Sequence, residues 1–153
     1  MCMCNRMKKC LLVFFVLFLG ISPVAYATDG ISVYVGNEQV EFDVQPQIIN
    51  DRTMVPMRKI FEALGAEVEW VPDDQMIFAT REAKCALFQI GKYVMAVNDF
   101  STDTVTKTEL DTAPLIIGDR TLVPVRAVSE AFGMQVSWDN ETKTVLIDPG
   151  EKN

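Results

Sequence analysis

Hydrophobic and polar positions alternate along much of the chain beyond residue 30, in short stretches separated by residues that favour turns. A period of two places successive side chains on opposite faces, so this pattern predicts strands with one buried face. The strands follow one another closely, which favours hairpins. The predicted strands are 31–35, 40–42, 48–49, 67–70, 76–79, 83–90, 93–97, 105–110, 135–138 and 144–147.

The period changes to that of a helix at two places, each beginning at a proline. Pro56 and Pro124 suit the first helical position because a missing N–H costs nothing there. Gly65 and Gly133 are predicted to end the helices as left-handed caps. Each helix has about nine residues, too few to be stable alone in water, so packing must hold it. The apolar faces are Met57, Ile60, Phe61 and Leu64 in the first helix and Val125, Val128 and Phe132 in the second.

The two helical segments belong to an internal repeat. Residues 43–80 align with 111–148 without a gap, at an offset of 68 residues, and 15 of the 38 positions are identical. Such self-similarity indicates that each copy is one supersecondary unit. No linker rich in Gly, Pro or Ser separates the copies, so we expect them to share one core. The predicted fold class is α+β, with two tandem hairpin–short helix–hairpin repeats whose antiparallel sheets pack on the helices.

The most distinctive part of the repeat contains an Asp-Arg-Thr turn, the proline, an Arg and a Glu of the helix, the glycine and a tryptophan. We predict structural roles for Asp51, Arg52, Pro56, Arg58, Glu62, Gly65 and Trp70, and for the equivalent Asp119, Arg120, Pro124, Arg126, Glu130, Gly133 and Trp138. The helical Arg and Glu are one turn apart, which permits a surface ion pair. Alternatively, Arg58 binds the turn of Asp51 and Arg126 the turn of Asp119 through bidentate bonds. Recurrence in both copies favours this alternative.

This motif resembles the copper amine oxidase N-terminal domain-like family, whose members are also called stalk domains in secreted bacterial proteins. The resemblance extends from about Ile31 to Ile147 and appears in both copies at one offset. It implies an extracellular α+β module in which an antiparallel sheet packs on a helix. It does not imply amine oxidation, because that chemistry resides in a separate, larger catalytic domain.

The first 27 residues have the layout of a secretory signal peptide. Positive residues precede an apolar run from Cys10 to Leu19, and Ala25-Tyr26-Ala27 forms a small-x-small cleavage site. The alternative is an uncleaved membrane anchor, but the apolar run is shorter than the ~20 residues that a spanning helix needs. We therefore expect a secreted or cell-envelope protein with one mature domain, 28–153.

The charge of the mature domain limits the classes of partner that it can bind. Removal of 1–27 leaves 11 basic and 21 acidic residues, a net charge of −10. An acidic surface without basic clusters argues against nucleic acid and against anionic membranes. Cys85 is the one cysteine left, so the mature monomer contains no disulfide. We interpret Cys85 as a small core residue, with an intermolecular disulfide as the alternative.

Few kinds of catalytic or metal site are possible because the chain has no histidine. A copper site of the oxidase kind depends on imidazole ligands, and Ser-His or Cys-His catalysis lacks its base. Carboxylates at Asp73 and Asp74, or at Asp139 and Glu141, lie in predicted turns, where Asp is favoured for backbone reasons. Calcium binding at Asp139 lacks the spacing and glycine of an EF-hand. We predict no enzyme activity and no catalytic, cofactor-binding or metal-binding residues.

The aromatic residues separate into two groups. The strand pattern places Trp70 and Trp138 on the same faces as core valines, so we predict that both are core residues. Tyr34, Tyr93 and Phe100 remain as candidate ligand contacts.

Three hypotheses about function follow. The first is a non-catalytic extracellular binding or scaffolding module that acts on cell-wall polysaccharide or on an extracellular protein. The second is a structural module that self-associates as a homodimer through sheet edges or an apolar patch. The third is a small carboxylate-based glycan hydrolase, which requires two carboxyls ~5–9 Å apart in a cleft.

Overall fold

Three β-sheets and two short helices make up the described part of the computed structural model, which is residues 30–150. The predicted signal peptide, 1–27, lies outside the described residues. The strands are β1 Ser32–Val35, β2 Glu38–Gln39, β3 Gln47–Ile49, β4 Arg52–Pro56, β5 Glu67–Val71, β6 Met76–Arg81, β7 Lys84–Gln89, β8 Val94–Asp99, β9 Thr104–Glu109, β10 Leu115–Ile117, β11 Arg120–Pro124, β12 Gln135–Asp139 and β13 Thr144–Asp148. The helices are α1 Met57–Ala63 and α2 Val125–Ala131.

The predicted α+β fold class is wrong, because the protein is mostly β. Strands account for 50% of the structure and helices for 12%, and each helix has seven residues. Part of the difference arises at the prolines. Pro56 has φ −55° and ψ 119°, so the strand continues through it and the helix begins one residue later. The residue before a proline is also restricted to extended geometry, which favours a strand over the Asp-Arg-Thr motif.

One strand pair also departs from the predicted antiparallel arrangement. β1 pairs with β13 in parallel, with Val33 opposite Val145. Alternation along a strand indicates which side chains share a face, but it does not identify the neighbouring strand or its direction. This pair joins the two ends of the described chain in one sheet.

The centre of the molecule is a four-stranded antiparallel sheet that contains strands of both copies. Its order is β10-β11-β4-β3, so the β3–β4 hairpin of the first copy pairs with the β10–β11 hairpin of the second. Val55 lies opposite Val123, and these two valines are equivalent in the repeat. The pairs on either side are Met54–Pro124 and Pro56–Leu122. This register is unchanged when the copies are exchanged, so an approximate two-fold axis passes through the Val55–Val123 pair.

The other two sheets each extend the hairpin that follows a helix. In the first copy, β5–β6 is part of a five-stranded sheet with the order β5-β6-β7-β8-β9. In the second copy, β12–β13 is extended by β1 and β2 in the order β12-β13-β1-β2. The sheets differ because β7, β8 and β9 come from the segment between the copies. The approximate symmetry therefore applies to the repeats and not to the strands around them.

Both helices pack between the two copies. α1 contacts β5 of its own copy and β11 of the other, and α2 contacts β12 and β4 in the same way. The ring of Phe61 on α1 lies 6.1 Å from that of Phe88 and 6.2 Å from that of Phe132. Apolar side chains from both copies and from the intervening strands form one core. Neither helix within residues 30–150 is long and apolar enough to cross a membrane.

The helices end at the predicted glycine caps. Gly65 has φ +71° and Gly133 has φ +78°, both in the left-handed region. The Gly65 N–H donates to the Glu62 carbonyl at 3.0 Å, and the Ala66 N–H donates to the Phe61 carbonyl at 2.8 Å. The same two bonds recur at Gly133. This is the Schellman arrangement, so the predicted left-handed caps are confirmed in both copies.

Replacement of Gly133 by alanine is expected to lower the free energy of unfolding by about 1–2 kcal/mol, because an L side chain is strained at positive φ. A Cβ at this position would lie 3.8 Å from Lys84 Nζ, an ordinary contact, so the loss is conformational rather than steric. Urea denaturation measures the loss. Gly133→Asn is the matched control, because asparagine tolerates the left-handed region. Equal losses in the two variants would contradict this explanation of the cap.

Candidate functional site

Two arginines bind across the boundary between the copies. Arg52 donates from Nε and Nη2 to Oδ2 of Asp111, at 2.7 and 2.6 Å. Arg120 donates from the same two nitrogens to Oδ2 of Asp43, at 2.8 Å each. The two arginines are equivalent in the repeat, and so are the two aspartates. Each copy therefore holds the other through the same ion pair.

The second of these ion pairs changes the acidity of both partners. The hydrogen bond from Arg120 lowers the pKa of Asp43 below its ordinary value of 3.8. The bond to Asp43, together with the charge of Asp119, raises the pKa of the Arg120 guanidinium. Arg120 also donates to Oδ2 of Asp119 at 2.6 Å. Because these side chains are partly exposed, water screens the interaction and its contribution to stability is modest.

Two clefts with equivalent walls lie beside the ion pairs. We call them the Trp138 cleft, with a volume of about 290 Å³, and the Trp70 cleft, with a volume of about 510 Å³. The Trp138 cleft is lined by Asp51, Arg52, Thr53, Pro124, Arg126 and Trp138, among others. The Trp70 cleft is lined by the equivalent Asp119, Arg120, Thr121, Pro56, Arg58 and Trp70. All six positions are identical between the copies, and each cleft combines a turn of one copy with a helix start and a tryptophan of the other.

The two tryptophans differ in exposure. Trp70 is half-buried and packs against the core, as predicted. Trp138 is 36% exposed, so the predicted core position is wrong for this residue. Both tryptophans lie on edge strands, β5 and β12, so strand position does not account for this difference. An exposed indole on a cleft wall offers a flat apolar face for stacking.

The arginines of the two helices lie exposed on the first helical turns. The side chains of Arg58 and Arg126 form no ion pair or hydrogen bond with another residue in the range 30–150. The predicted pairs with Glu62 and with Glu130 are therefore not formed there. Glu62 instead accepts a bond of 3.3 Å from Lys59.

The alternative prediction, a bond from each of these arginines to the turn of its own copy, is also not formed in this range. Pairing of β4 with β11 brings the turn of one copy to the helix of the other. Asp51 thus shares a cleft with Arg126, and Asp119 shares one with Arg58. The arginine that binds across this boundary is the one in the Asp-Arg-Thr motif itself.

The three other aromatic candidates do not form one surface. Tyr34 is half-buried and donates a hydrogen bond of 3.2 Å to Gln39 Oε1. Tyr93 is 56% exposed and Phe100 is 62% exposed. These two residues lie at opposite ends of β8, about 23 Å apart for an extended strand. One sugar ring or one short peptide side chain therefore cannot contact both.

The Asp139 carboxylate binds the backbone of its own hairpin turn. Asp139 Oδ1 accepts the N–H groups of Thr142 and Glu141, at 3.3 and 2.9 Å. The side-chain hydrogen bond from Thr142, together with these backbone bonds, lowers the pKa of Asp139. Asp73 and Asp74 are exposed in the turn before β6. Within residues 30–150, no group of three His, Cys, Asp or Glu side chains is arranged to hold a metal ion.

Asp43 and Asp111, which complete the ion pairs between the copies, were not among the residues predicted from the sequence. A signal was present, because both residues are among the identical positions of the repeat and neither lies in a predicted strand or helix. The partners could not be assigned from sequence, since they are 59 and 77 residues apart along the chain.

The fold and the clefts define a mostly β module built from two copies of one unit around an approximate two-fold axis. The chain matches the family model "Copper amine oxidase N-terminal domain" over residues 34–147, and it belongs to this family. The resemblance identified from the repeat is thereby confirmed. In copper amine oxidases this domain is a non-catalytic module. No curated protein and no solved structure shows a significant match to the chain.

The Arg120–Asp43 ion pair is expected to stabilise the fold at neutral pH, and this stabilisation is expected to be lost in acid. The pKa of Asp43 is lowered from 3.8 in the folded state. The stabilisation is therefore complete above this value and disappears as the pH falls through the lowered folded-state pKa. A double-mutant cycle of Arg120→Gln and Asp43→Asn measures the coupling, as a shift in Tm of the order of a few degrees.

The matched control for this cycle pairs Asp43→Asn with Arg126→Gln, an arginine without an ion pair in the described range. No coupling is expected in the control. Additive effects of Arg120→Gln and Asp43→Asn at neutral pH would contradict the role of this ion pair.

Proposed function

We propose that this protein is a non-catalytic extracellular binding module that acts on polysaccharide at the cell envelope, with the Trp138 cleft as its binding site. The observation that carries the proposal is an indole, 36% exposed, on the wall of the same cleft as an exposed arginine without an ion pair in residues 30–150. A sugar ring presents apolar C–H faces and hydroxyl edges. An indole can stack on such a face, and a guanidinium can donate to the hydroxyls.

The Trp70 cleft is not part of the proposed binding site. Its tryptophan is half-buried against the core, so less of the ring is available for stacking. Arg120 in this cleft is bound to Asp43 and Asp119, as Arg52 in the Trp138 cleft is bound to Asp111. Both arginines close the boundary between the copies, so the exposure of the tryptophan is what separates the two clefts.

The carboxylates near the clefts support a role without catalysis. Glycoside hydrolysis needs one carboxyl that remains protonated near neutral pH and a second that stays ionised. Asp43 has its pKa lowered by Arg120, which is opposite to what a general acid requires. Asp111 is bound by Arg52 at 2.6 Å. The family also supports this view, since the N-terminal domain is generally the non-catalytic part of copper amine oxidases.

The proposed location outside the cell rests on the signal-like sequence of 1–27. The acidic composition argues against nucleic acid and against an anionic membrane as partners. Polysaccharide of the cell envelope and extracellular protein are both available to such a module. The exposed indole and arginine favour polysaccharide.

A second candidate function is self-association through the outward face of the five-stranded sheet. The strand registers place Phe78, Leu87 and Val105 on the face opposite the buried side chains. Val105 is 64% exposed, while Phe78 and Leu87 are half-buried. Cys85 is a free, half-buried thiol on the same face, where a second copy would bring the two thiols together. Glu69 and Lys107 lie on the same face, so the apolar residues form a patch among charged side chains, and a homodimer would cover this patch.

The test is retention of the purified protein on insoluble cell-wall material. We expect saturable retention, and we expect Trp138→Ala to raise the Kd about tenfold, equivalent to ~1.4 kcal/mol. Phe100→Ala is the matched control, because it removes an aromatic ring that is 62% exposed and lies outside the cleft. Cys85→Ser and added salt exclude disulfide capture and non-specific charge effects.

Equal retention of Trp138→Ala and the unchanged protein would contradict the binding site. No retention, together with a dimer in light scattering, would contradict the proposed function and favour self-association.

A further inference from the structure

A second open space adjoins the Trp138 cleft. It lies between β8 and β9 on one side and α2 on the other, and its volume is about 350 Å³. Thr104, Thr106 and Thr108 line it from β9. They alternate along the strand and therefore share one face, which spans about 14 Å from the first to the third. We call this space the threonine groove.

The threonine groove and the Trp138 cleft share part of their walls. Arg52, Pro124 and Arg126 line both spaces and form the boundary between them. A ligand that reaches from the indole past Arg126 would therefore enter the groove. The combined space is longer than one sugar ring, because the threonine row alone extends about 14 Å.

Within residues 30–150, the Trp138 cleft shares walls with the threonine groove and the Trp70 cleft does not. None of the described residues that line the Trp70 cleft also lines the threonine groove. The asymmetry follows from the sheets, because β9 is a six-residue edge strand, whereas the edge strand β2 of the sheet that contains β12 has two residues. The two equivalent clefts thus differ in their surroundings, because the threonine groove lies beside the Trp138 cleft and not beside the Trp70 cleft.

The lining of the groove indicates an uncharged ligand. Its cationic residues are Arg52, Lys84 and Arg126, and its anionic residues are Asp99, Glu109, Asp111 and Glu130. Three positive charges against four negative charges leave no strong field for either a polyanion or a polycation. The remaining polar groups include the threonine hydroxyls, which both donate and accept hydrogen bonds as sugar hydroxyls do. Apolar side chains such as Met95, Val97 and Ala127 line the same space and suit the C–H faces of sugar rings.

We propose that the Trp138 cleft and the threonine groove form one extended site for a linear, uncharged polysaccharide. One sugar ring stacks on Trp138, Arg126 donates to hydroxyls where the two spaces meet, and further units lie along the threonine row. This inference rests on the proposed function and adds the class of ligand, its extended form and the side of the molecule that binds it.

The test is isothermal titration calorimetry of the purified protein with soluble, uncharged oligosaccharides of N-acetylglucosamine or of glucose, in a series of increasing length. Affinity is expected to rise with length until the groove is filled. Arg126→Gln is expected to weaken binding about tenfold, since a charge-assisted hydrogen bond is lost. Arg58→Gln is the matched control at the equivalent helix position, with a change of less than about twofold.

A second pair of variants tests the groove itself. Thr106→Val removes a hydroxyl with little change of shape and is expected to weaken binding of the long oligosaccharides about threefold. Val105→Thr, on the opposite face of the same strand, is expected to leave binding unchanged. Circular dichroism and the Tm of each variant identify any variant that fails to fold. If a threonine-groove variant does not fold, the comparison of Arg126→Gln with Arg58→Gln tests the proposal.

Several results would overturn the inference while the proposed function stands. The first is retention on the wall without binding of any uncharged oligosaccharide. The second is an equal loss of oligosaccharide affinity in Arg58→Gln and Arg126→Gln. The third is an affinity that does not depend on the length of the oligosaccharide. Loss of wall retention after protease treatment of the wall would indicate that an extended peptide pairs with the free edge of β9 instead. Absence of wall retention would remove the proposed function as well.

Discussion

The antiparallel pairing of β4 with β11 is the interaction on which the rest of the structure depends. It places Val55 opposite Val123, both fully buried, and joins two hairpins into one central sheet. A strand pair on a two-fold axis brings every other equivalent element into register, as in an isologous dimer interface. The helices, the ion pairs and the clefts all follow from this pair. The duplicated chain is thus organised like a dimer whose subunits are covalently joined.

This arrangement explains which positions of the repeat remained identical. In a two-fold arrangement each interface residue acts twice, once from each copy. The identical Asp43/Asp111 and Arg52/Arg120 form the reciprocal ion pairs, and Val55/Val123 lie at the axis. Arg58/Arg126 and Trp70/Trp138 line the clefts between the copies. The buried faces of the helices differ more between the copies. Phe61 and Ser129, for example, occupy equivalent positions, and both are fully buried.

Local features of the fold could be predicted from the sequence. The glycine caps were predicted from a backbone requirement that involves only the helix end, and the positive φ at Gly65 and Gly133 confirms them. The hairpins that follow the helices were predicted from alternation and turn residues. The fold class was predicted wrongly because strand content at the Asp-Arg-Thr motif depends on pairing with another copy. The parallel β1–β13 pair also depends on a partner more than a hundred residues away.

The candidate site was less accessible to sequence reasoning for the same physical reason. Trp138 and Trp70 have the same local pattern, yet Trp138 is the more exposed of the two, because their surroundings differ. Tyr93 and Phe100 are exposed as expected of candidate contacts, but the length of β8 separates them. A cleft whose walls come from both copies becomes visible only when the pairing of the copies is known.

The segment between the copies breaks the symmetry and gives one cleft a different neighbourhood. β7, β8 and β9 extend one sheet, and the edge of that extension faces α2 across the threonine groove. The internal repeat thus accounts for the arrangement that the two sides share, and the intervening strands account for the difference between them. The most direct test of the arrangement is an NMR measurement of nuclear Overhauser effects between the backbone protons of β4 and β11. Cross-peaks that join Val55 to Val123 are expected, whereas cross-peaks that join β4 only to strands of its own copy would contradict the pairing of β4 with β11.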